Sequence, residues 1–209
     1  MHIPHKFQQD NIEELLALLR DYPFANLVTY SASGVEANHL PISISWQGDK
    51  LYLHAHIAKV NTLWQSVAEG SEVLIIFNGP NAYISPNHYP TKQQTGKAVP
   101  TWNYVAVHVK GDIRFIHDPT WIHQALETLT TEHEAQNDKP WAMSDAPATY
   151  INKMLPAIVG IEIAVTSMKG QWKLSQNQPE INRIGVIKGL SEQKSTNADK
   201  IAAMVQAQQ

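Results

Sequence analysis

The sequence predicts a β-rich α+β fold: a small β-barrel with helices at its ends and in one insertion. Three observations predict it. Six or seven apolar segments of strand length follow one another between turn signals, in an order that suits antiparallel pairing. The longer helical stretches fall at the start of the chain, within about 118–156 and after Pro179. Of the 209 residues, 43% are hydrophobic and 17% charged, which is enough apolar material to bury a core.

Asp10-Asn11-Ile12-Glu13 has capping-box spacing, and leucines at 15, 16, 18 and 19 give one apolar face, so a helix over 11–20 is expected, ending before Pro23. Phe24 to Tyr30 reads as a strand, and Ser31-Ala32-Ser33-Gly34 as a turn. Val35 to Trp46 and Leu51 to Ile57 follow, joined by the hairpin-like Gln47-Gly48-Asp49-Lys50, with Leu40, Ile42, Ile44 and Trp46 on one face. Asn61 caps a short helix to about Ala68. Val73 to Phe77 and Ala82 to Ser85 are strands separated by a Gly79-Pro80 turn, and Trp102 to Ile116 is a long one. Asp118-Pro119 opens a helix whose buried stripe is Trp121, Ile122, Ala125, Leu126 and Leu129. A helix over Ala148 to Leu155, a strand from Ile158 to Val165 and a helix from Pro179 to about Leu190 complete one compact unit over 1–190. Residues 191–209 read as a polar, partly disordered tail in which Asn197 to Gln206 can fray in and out of helix.

Composition excludes several functions. The absence of cysteine removes disulfides, thiolate metal sites and thiol nucleophiles. A net charge of -3 argues against a dedicated polyanion binder. Residues 140–209 hold seven Lys/Arg against five Asp/Glu, too mild an excess for a phosphate-backbone footprint. No apolar run is long enough to span a bilayer and the first ten residues are polar, so a cytoplasmic protein is expected. Motifs of hydrolases, P-loops and dinucleotide folds are missing.

The densest polar sequence within β structure runs from Leu51 to Asn61. His54 and His56, two apart on a strand, project from one face, with Lys59 and the start of the helix near Asn61 directly after. Imidazoles, an ammonium and helix amides at one spot suit an anion such as a phosphate; a solvated rim with surface histidines is the other reading. A metal site using His54 and His56 with His39, His88 or Glu36 is the weaker rival, and no metal is expected. Trp102-Asn103-Tyr104 offers aromatic faces around an amide, which suits a planar heteroaromatic ligand or simply a barrel core. Gln171 to Asn177 is a polar cluster anchored by Trp172, or else an exposed loop.

Several segments together resemble the PaiB family of FMN-binding negative transcriptional regulators. They are Met1-His2-Ile3-Pro4, Pro23-Phe24-Ala25, Glu36-Ala37-Asn38-His39-Leu40-Pro41, and His54-Ala55-His56-Ile57-Ala58-Lys59-Val60-Asn61. Further along come Gly79-Pro80-Asn81-Ala82-Tyr83-Ile84-Ser85-Pro86, Val99-Pro100-Thr101-Trp102-Asn103-Tyr104, Ile158-Val159-Gly160-Ile161-Glu162-Ile163 and Trp172-Lys173-Leu174-Ser175-Gln176-Asn177. The resemblance implies an FMN-binding split β-barrel over 1–190, usually a homodimer with FMN at the subunit interface. It implies that His54, His56, Lys59 and Asn61 occupy the phosphate-binding segment. Trp102, Asn103 and Tyr104 would wall the ring or ribityl chain, and Lys173, Ser175 and Gln176 would reach the site from the C-terminal part. A transcriptional regulator is the expectation, with DNA binding implied by the family but not supported by charge. An FMN-dependent oxidoreductase or flavin reductase and a haem-binding split barrel are the alternatives, and no residue stands out as catalytic.

Overall fold

The structure is a computed structural model and describes residues 1–208. The eight strands are β1 (Gln8–Gln9), β2 (Phe24–Ser31), β3 (Gly34–Pro41), β4 (Ser43–Gln47), β5 (Lys50–Ala58), β6 (Glu72–Ile84), β7 (Thr101–Ile116) and β8 (Ile158–Lys173). Seven of them hydrogen-bond in the order β3-β2-β6-β7-β8-β5-β4, and β1 pairs with β8. Among the described residues this path does not close on itself, and β3 and β4 are its ends. Seven helices complete the inventory: α1 (Ile12–Asp21), α2 (Leu63–Ser66), α3 (Lys92–Thr95), α4 (Pro119–Glu134), α5 (Ala148–Met154), α6 (Glu180–Ser191) and α7 (Thr196–Ala207). None is long and apolar enough to cross a membrane.

The chain resolves into two compact units interleaved in sequence. The first gathers residues 1–21, 78–108 and those from Lys169 onward; the second gathers 22–77 and 109–168. The long strands β6, β7 and β8 pass through both.

In the second unit, alternation along β5 buries Leu51, Leu53, Ala55 and Ile57 and turns Tyr52, His54 and His56 to the other face. The hairpin β4–β5 closes with Gln47 opposite Lys50, and Gly48 sits at φ +60°, where glycine adopts the left-handed region without a side-chain penalty. The segment expected as one strand from Val35 to Trp46 is two. Pro41 carries no N–H for a ladder, the chain leaves β2 there, and Ile42 N donates to the Pro23 carbonyl at 3.0 Å before β4 takes up β5. The face expected to carry Leu40, Ile42, Ile44 and Trp46 is therefore broken: Leu40 and Ile42 are buried, while Trp46 is 50% exposed. Asp118 Oδ1 caps α4 by accepting from Thr120 N at 2.7 Å and Trp121 N at 2.9 Å.

In the first unit, the helix cap is Asn11 rather than Asp10: Asn11 Oδ1 accepts from Glu13 N at 2.9 Å, while the Asp10 carboxylate accepts from Gln8 Nε2. Gly79-Pro80 is not a turn. β6 runs straight through, and a Cβ on Gly79 would stand 2.7 Å from Leu18 Cδ1, so this glycine serves close packing. β8 likewise continues past Val165 to Lys173, burying Gln171 and Trp172 in what composition alone leaves open as a loop. The stretch read as a partly disordered tail contains α7, which buries Ala198, Ile201, Ala202 and Val205. Their i, i+3, i+4, i+7 spacing is an apolar stripe hidden in a polar composition.

Gly111 on β7 shows how tight the second unit is: a Cβ there would lie 2.4 Å from the Ala164 carbonyl oxygen, which is backbone and cannot swing aside. Gly111→Ala is expected to cost about 1–3 kcal/mol of stability, read from urea unfolding with an unchanged m-value.

Candidate functional site

Antiparallel pairing of β5 with β8 sets His54 opposite Glu162 and His56 opposite Gly160. Since these side chains share the face away from the apolar core of β5, they meet α4, which lies over them. Trp121 fills the slot: its ring meets the His54 ring edge-on at 4.9 Å between centroids, and a Cβ on Gly160 would fall 2.4 Å from Trp121 Cζ3. Ile122, Ala125, Leu126 and Leu129 line the same small cavity, whose free volume of about 10 Å³ is at most that of one water. The stripe expected on this helix does face the sheet, but only Ile122 is fully buried.

Glu162 is the hub of this layer. It is 6% exposed, its Oε2 accepts from Gln47 Nε2 at 3.3 Å, and Arg114 Nη1 lies 3.5 Å from Oε1. His54 Nε2 is 3.3 Å from Oε2 without an aligned hydrogen bond. Burial lowers the His54 pKa below the ordinary histidine value, and the Glu162 carboxylate opposes that only in part. Burial alone lowers that of His56.

Lys59 and Asn61 end the same strand on a tightly held turn. Lys59 N donates to the Ala157 carbonyl at 2.8 Å, Trp64 Nε1 donates to the Lys59 carbonyl at 3.1 Å, and Asn61 N returns to the Ala58 carbonyl at 2.8 Å. The Lys59 ammonium is exposed and has no partner among the described residues. The Asn61 side chain is occupied at both ends, donating to Asn38 Oδ1 at 2.8 Å and accepting from Leu63 N at 2.9 Å. Four residues of α2 follow, so the expected helix is a single turn.

The remaining sequence candidates lie in the first unit. Strand alternation separates the Trp102-Asn103-Tyr104 trio. Asn103 points inward, 1% exposed, and donates from Nδ2 to Ser175 Oγ at 2.9 Å; Ser175 itself holds a left-handed φ of +62°. Trp102 and Tyr104 face outward and, with Asn78 and Asn81 of β6, line an open groove of about 310 Å³. Tyr83 meets Trp102 edge-on at 5.9 Å, extending the aromatic wall. Lys173 Nζ donates to Thr101 Oγ1 at 2.6 Å, and burial lowers its pKa. Gln176 is spent on its own turn, donating to the Trp172 carbonyl at 2.6 Å and accepting from Leu174 N at 2.7 Å.

Sequence reading missed Glu162, Arg114 and Trp121 as neighbours of His54, and Asn78 and Asn81 beside Trp102. A lone carboxylate within the apolar run Ile161-Glu162-Ile163 is the one signal that marks Glu162. Among the described residues, no three His, Asp or Glu side chains are placed to hold a metal ion; His39, one of the considered ligands, instead stacks on Phe24.

An antiparallel sheet of this topology with helical additions is the split-barrel fold. The fold is shared with the flavocytochrome Anf3 of Azotobacter vinelandii (TM-score 0.57, 11% identity, 82% of this chain and 72% of that one). It is also shared with a FAD and heme binding protein of Mycobacterium smegmatis (TM-score 0.58, 16% identity, 79% and 73%). Residues 1–167 match the family described as "Putative FMN-binding domain", and the chain belongs to that family. It is 30% identical over 206 residues to the protease synthase and sporulation protein PAI 2 of Bacillus subtilis, covering 99% of this chain and 97% of the relative. An uncharacterized protein of Emericella nidulans is 31% identical over 241 residues, covering 98% and 96%.

The half-buried imidazoles make stability pH-dependent. Unfolded histidines titrate near about pH 6.5, while His54 and His56 in the folded chain resist protonation, so the unfolded state binds more protons as pH falls below that value. Their contribution is full above this range and is lost on acidification. The urea midpoint is expected to drop between about pH 7.5 and 5.5, and His56→Gln is expected to flatten that slope.

Proposed function

We propose that this chain is an FMN-binding protein of the PaiB type that works as a homodimer, with the flavin held where two subunits meet. Its regulatory effect on transcription follows from flavin occupancy, since a chain of net charge -3 offers no broad footprint for a phosphate backbone. The observation that carries the reading is Lys59. Its ammonium is unpaired and exposed, and the turn that carries it is held by hydrogen bonds through both backbone N and O, so a phosphate monoester meets a free cation on an ordered stretch of backbone. Membership of the family supports FMN as the ester. Taken by itself, the groove of the first unit, with the outward Trp102 and Tyr104 and the Asn78 and Asn81 amides, suits a planar ring edged with hydrogen-bonding groups.

Flavin titration followed by fluorescence quenching tests this. FMN is expected to bind more tightly than riboflavin, which lacks the phosphate. Lys59→Ala is expected to weaken FMN by about ten- to a hundredfold while leaving riboflavin unchanged, as loss of a charge-assisted contact requires. Equal affinity of the variant for FMN overturns the phosphate role.

The dimer rests on the outer face of the β2–β3 hairpin, where Phe24, Tyr30 and Val35 are 68%, 75% and 74% exposed and Tyr30 lies directly opposite Val35 in the register. Two adjacent uncovered aromatic and β-branched side chains on a sheet face suit self-association. Light scattering is expected to give twice the chain mass, and the double substitution Tyr30→Glu, Val35→Lys is expected to halve it without loss of the circular dichroism signal.

A further inference from the structure

The helical insertion holds a further concavity, lined by none of the residues that make up the candidate site. It opens between α4 and the segment carrying residues 143–152, with a volume of about 330 Å³, within the range of small-molecule sites. His123 and Glu127 stand one helical turn apart on α4 and line one wall. Ser144 and Asn152 contribute a hydroxyl and an amide from the other side, and Met143 and Ile151 provide an apolar floor. None of these four polar side chains has a hydrogen-bond partner among the described residues.

The walls are built independently of any ligand. Asp118 caps α4. Glu134 Oε2 accepts from Asn137 Nδ2 at 2.6 Å and from Trp141 N at 3.0 Å, tying down the chain that leaves the helix. Asp145 Oδ2 accepts from Ala142 N at 2.9 Å, and Tyr150 N returns to the Pro147 carbonyl at 2.8 Å. Glu134 and Asp145 are thus engaged by backbone amides, and among the residues that line the pocket Glu127 is the carboxylate that can face a ligand.

Charge agrees. Residues 118–157 hold six of the nineteen Asp/Glu and two of the sixteen Lys/Arg, a net charge of -4, while the rest of the chain sums to +1. The acidity of the whole protein is that of this insertion, which attracts cations to the mouth of the pocket.

We infer that this pocket is a binding site for a small organic cation: an amine carried on an aromatic or branched aliphatic body. The ammonium pairs with Glu127, the His123, Ser144 and Asn152 groups take its hydrogen bonds, and the body lies on Met143 and Ile151, where a thioether favours an aromatic partner. The site is separate from the flavin reading and stands or falls without it.

Tryptamine is a suitable probe, being an ammonium on an indole, with indole-3-propionate as the same body bearing the opposite charge. Calorimetry on the full chain is expected to detect tryptamine and not indole-3-propionate, and amide resonances of His123, Glu127, Ser144 and Asn152 are expected to shift on titration. Glu127→Gln is expected to weaken tryptamine about tenfold, as loss of a charge-assisted contact implies, with circular dichroism and FMN affinity unchanged. Absence of binding, equal affinity of the variant, equal binding of the propionate, or shifts confined to other residues each overturn the proposal.

Discussion

The antiparallel ladder between β5 and β8 decides what the second unit presents. Its seven pairs, from Tyr52 with Ala164 to Ala58 with Ile158, fix which side of β5 is core and which is polar. Because side chains alternate with a period of two, a slip by one residue would send Leu51, Leu53, Ala55 and Ile57 outward and bury both imidazoles in hydrocarbon. With the register as it is, His54 faces Glu162, and His56 faces the one residue, Gly160, that leaves room for Trp121.

That arrangement gives the histidines a structural duty. Their rings form the polar half of the seat for α4, and the indole of Trp121 forms the apolar half. Glu162 compensates the half-buried layer by drawing on three strands at once, through Gln47, His54 and Arg114. A buried carboxylate held this way orients its neighbours more than it adds stability, because its own desolvation offsets much of the attraction. The group left free to meet an external anion is further along the same strand, at Lys59.

Much of the architecture was legible because short-range physics settles it. The Asp118-Pro119 helix start, the two-residue Gly48-Asp49 hairpin and the alternation along β5 are local rules that tertiary contacts did not override. The misread elements are those in which a distant neighbour outweighs a local preference. Gly79-Pro80 carries turn chemistry, yet Gly79 lies in a continuous strand and packs closely against Leu18 and Val105. Pro41 ends one pairing and Ser43 begins another, which no window of sequence reveals. The apolar stripe of α7 is diluted by alanines and amides, so composition hides a helix that packing orders. Of the site candidates, the shared face of His54 and His56 followed from spacing alone, but the helix that covers it did not.

By itself, the amino-acid order determined the β-rich class, most element positions, the alternate facing of side chains along β5 and membership of a flavin-associated family. Periodicity and motif are properties of neighbouring residues, so they survive without a fold. Only the tertiary structure decided that the two imidazoles are seated beneath α4, that Asn61 is occupied by Asn38 and its own turn and Gln176 by its own turn, and that Lys59 and the Trp102–Tyr104 groove remain open. Availability of a polar group depends on what folding places against it, and for the two imidazoles that is a helix and a strand remote in sequence.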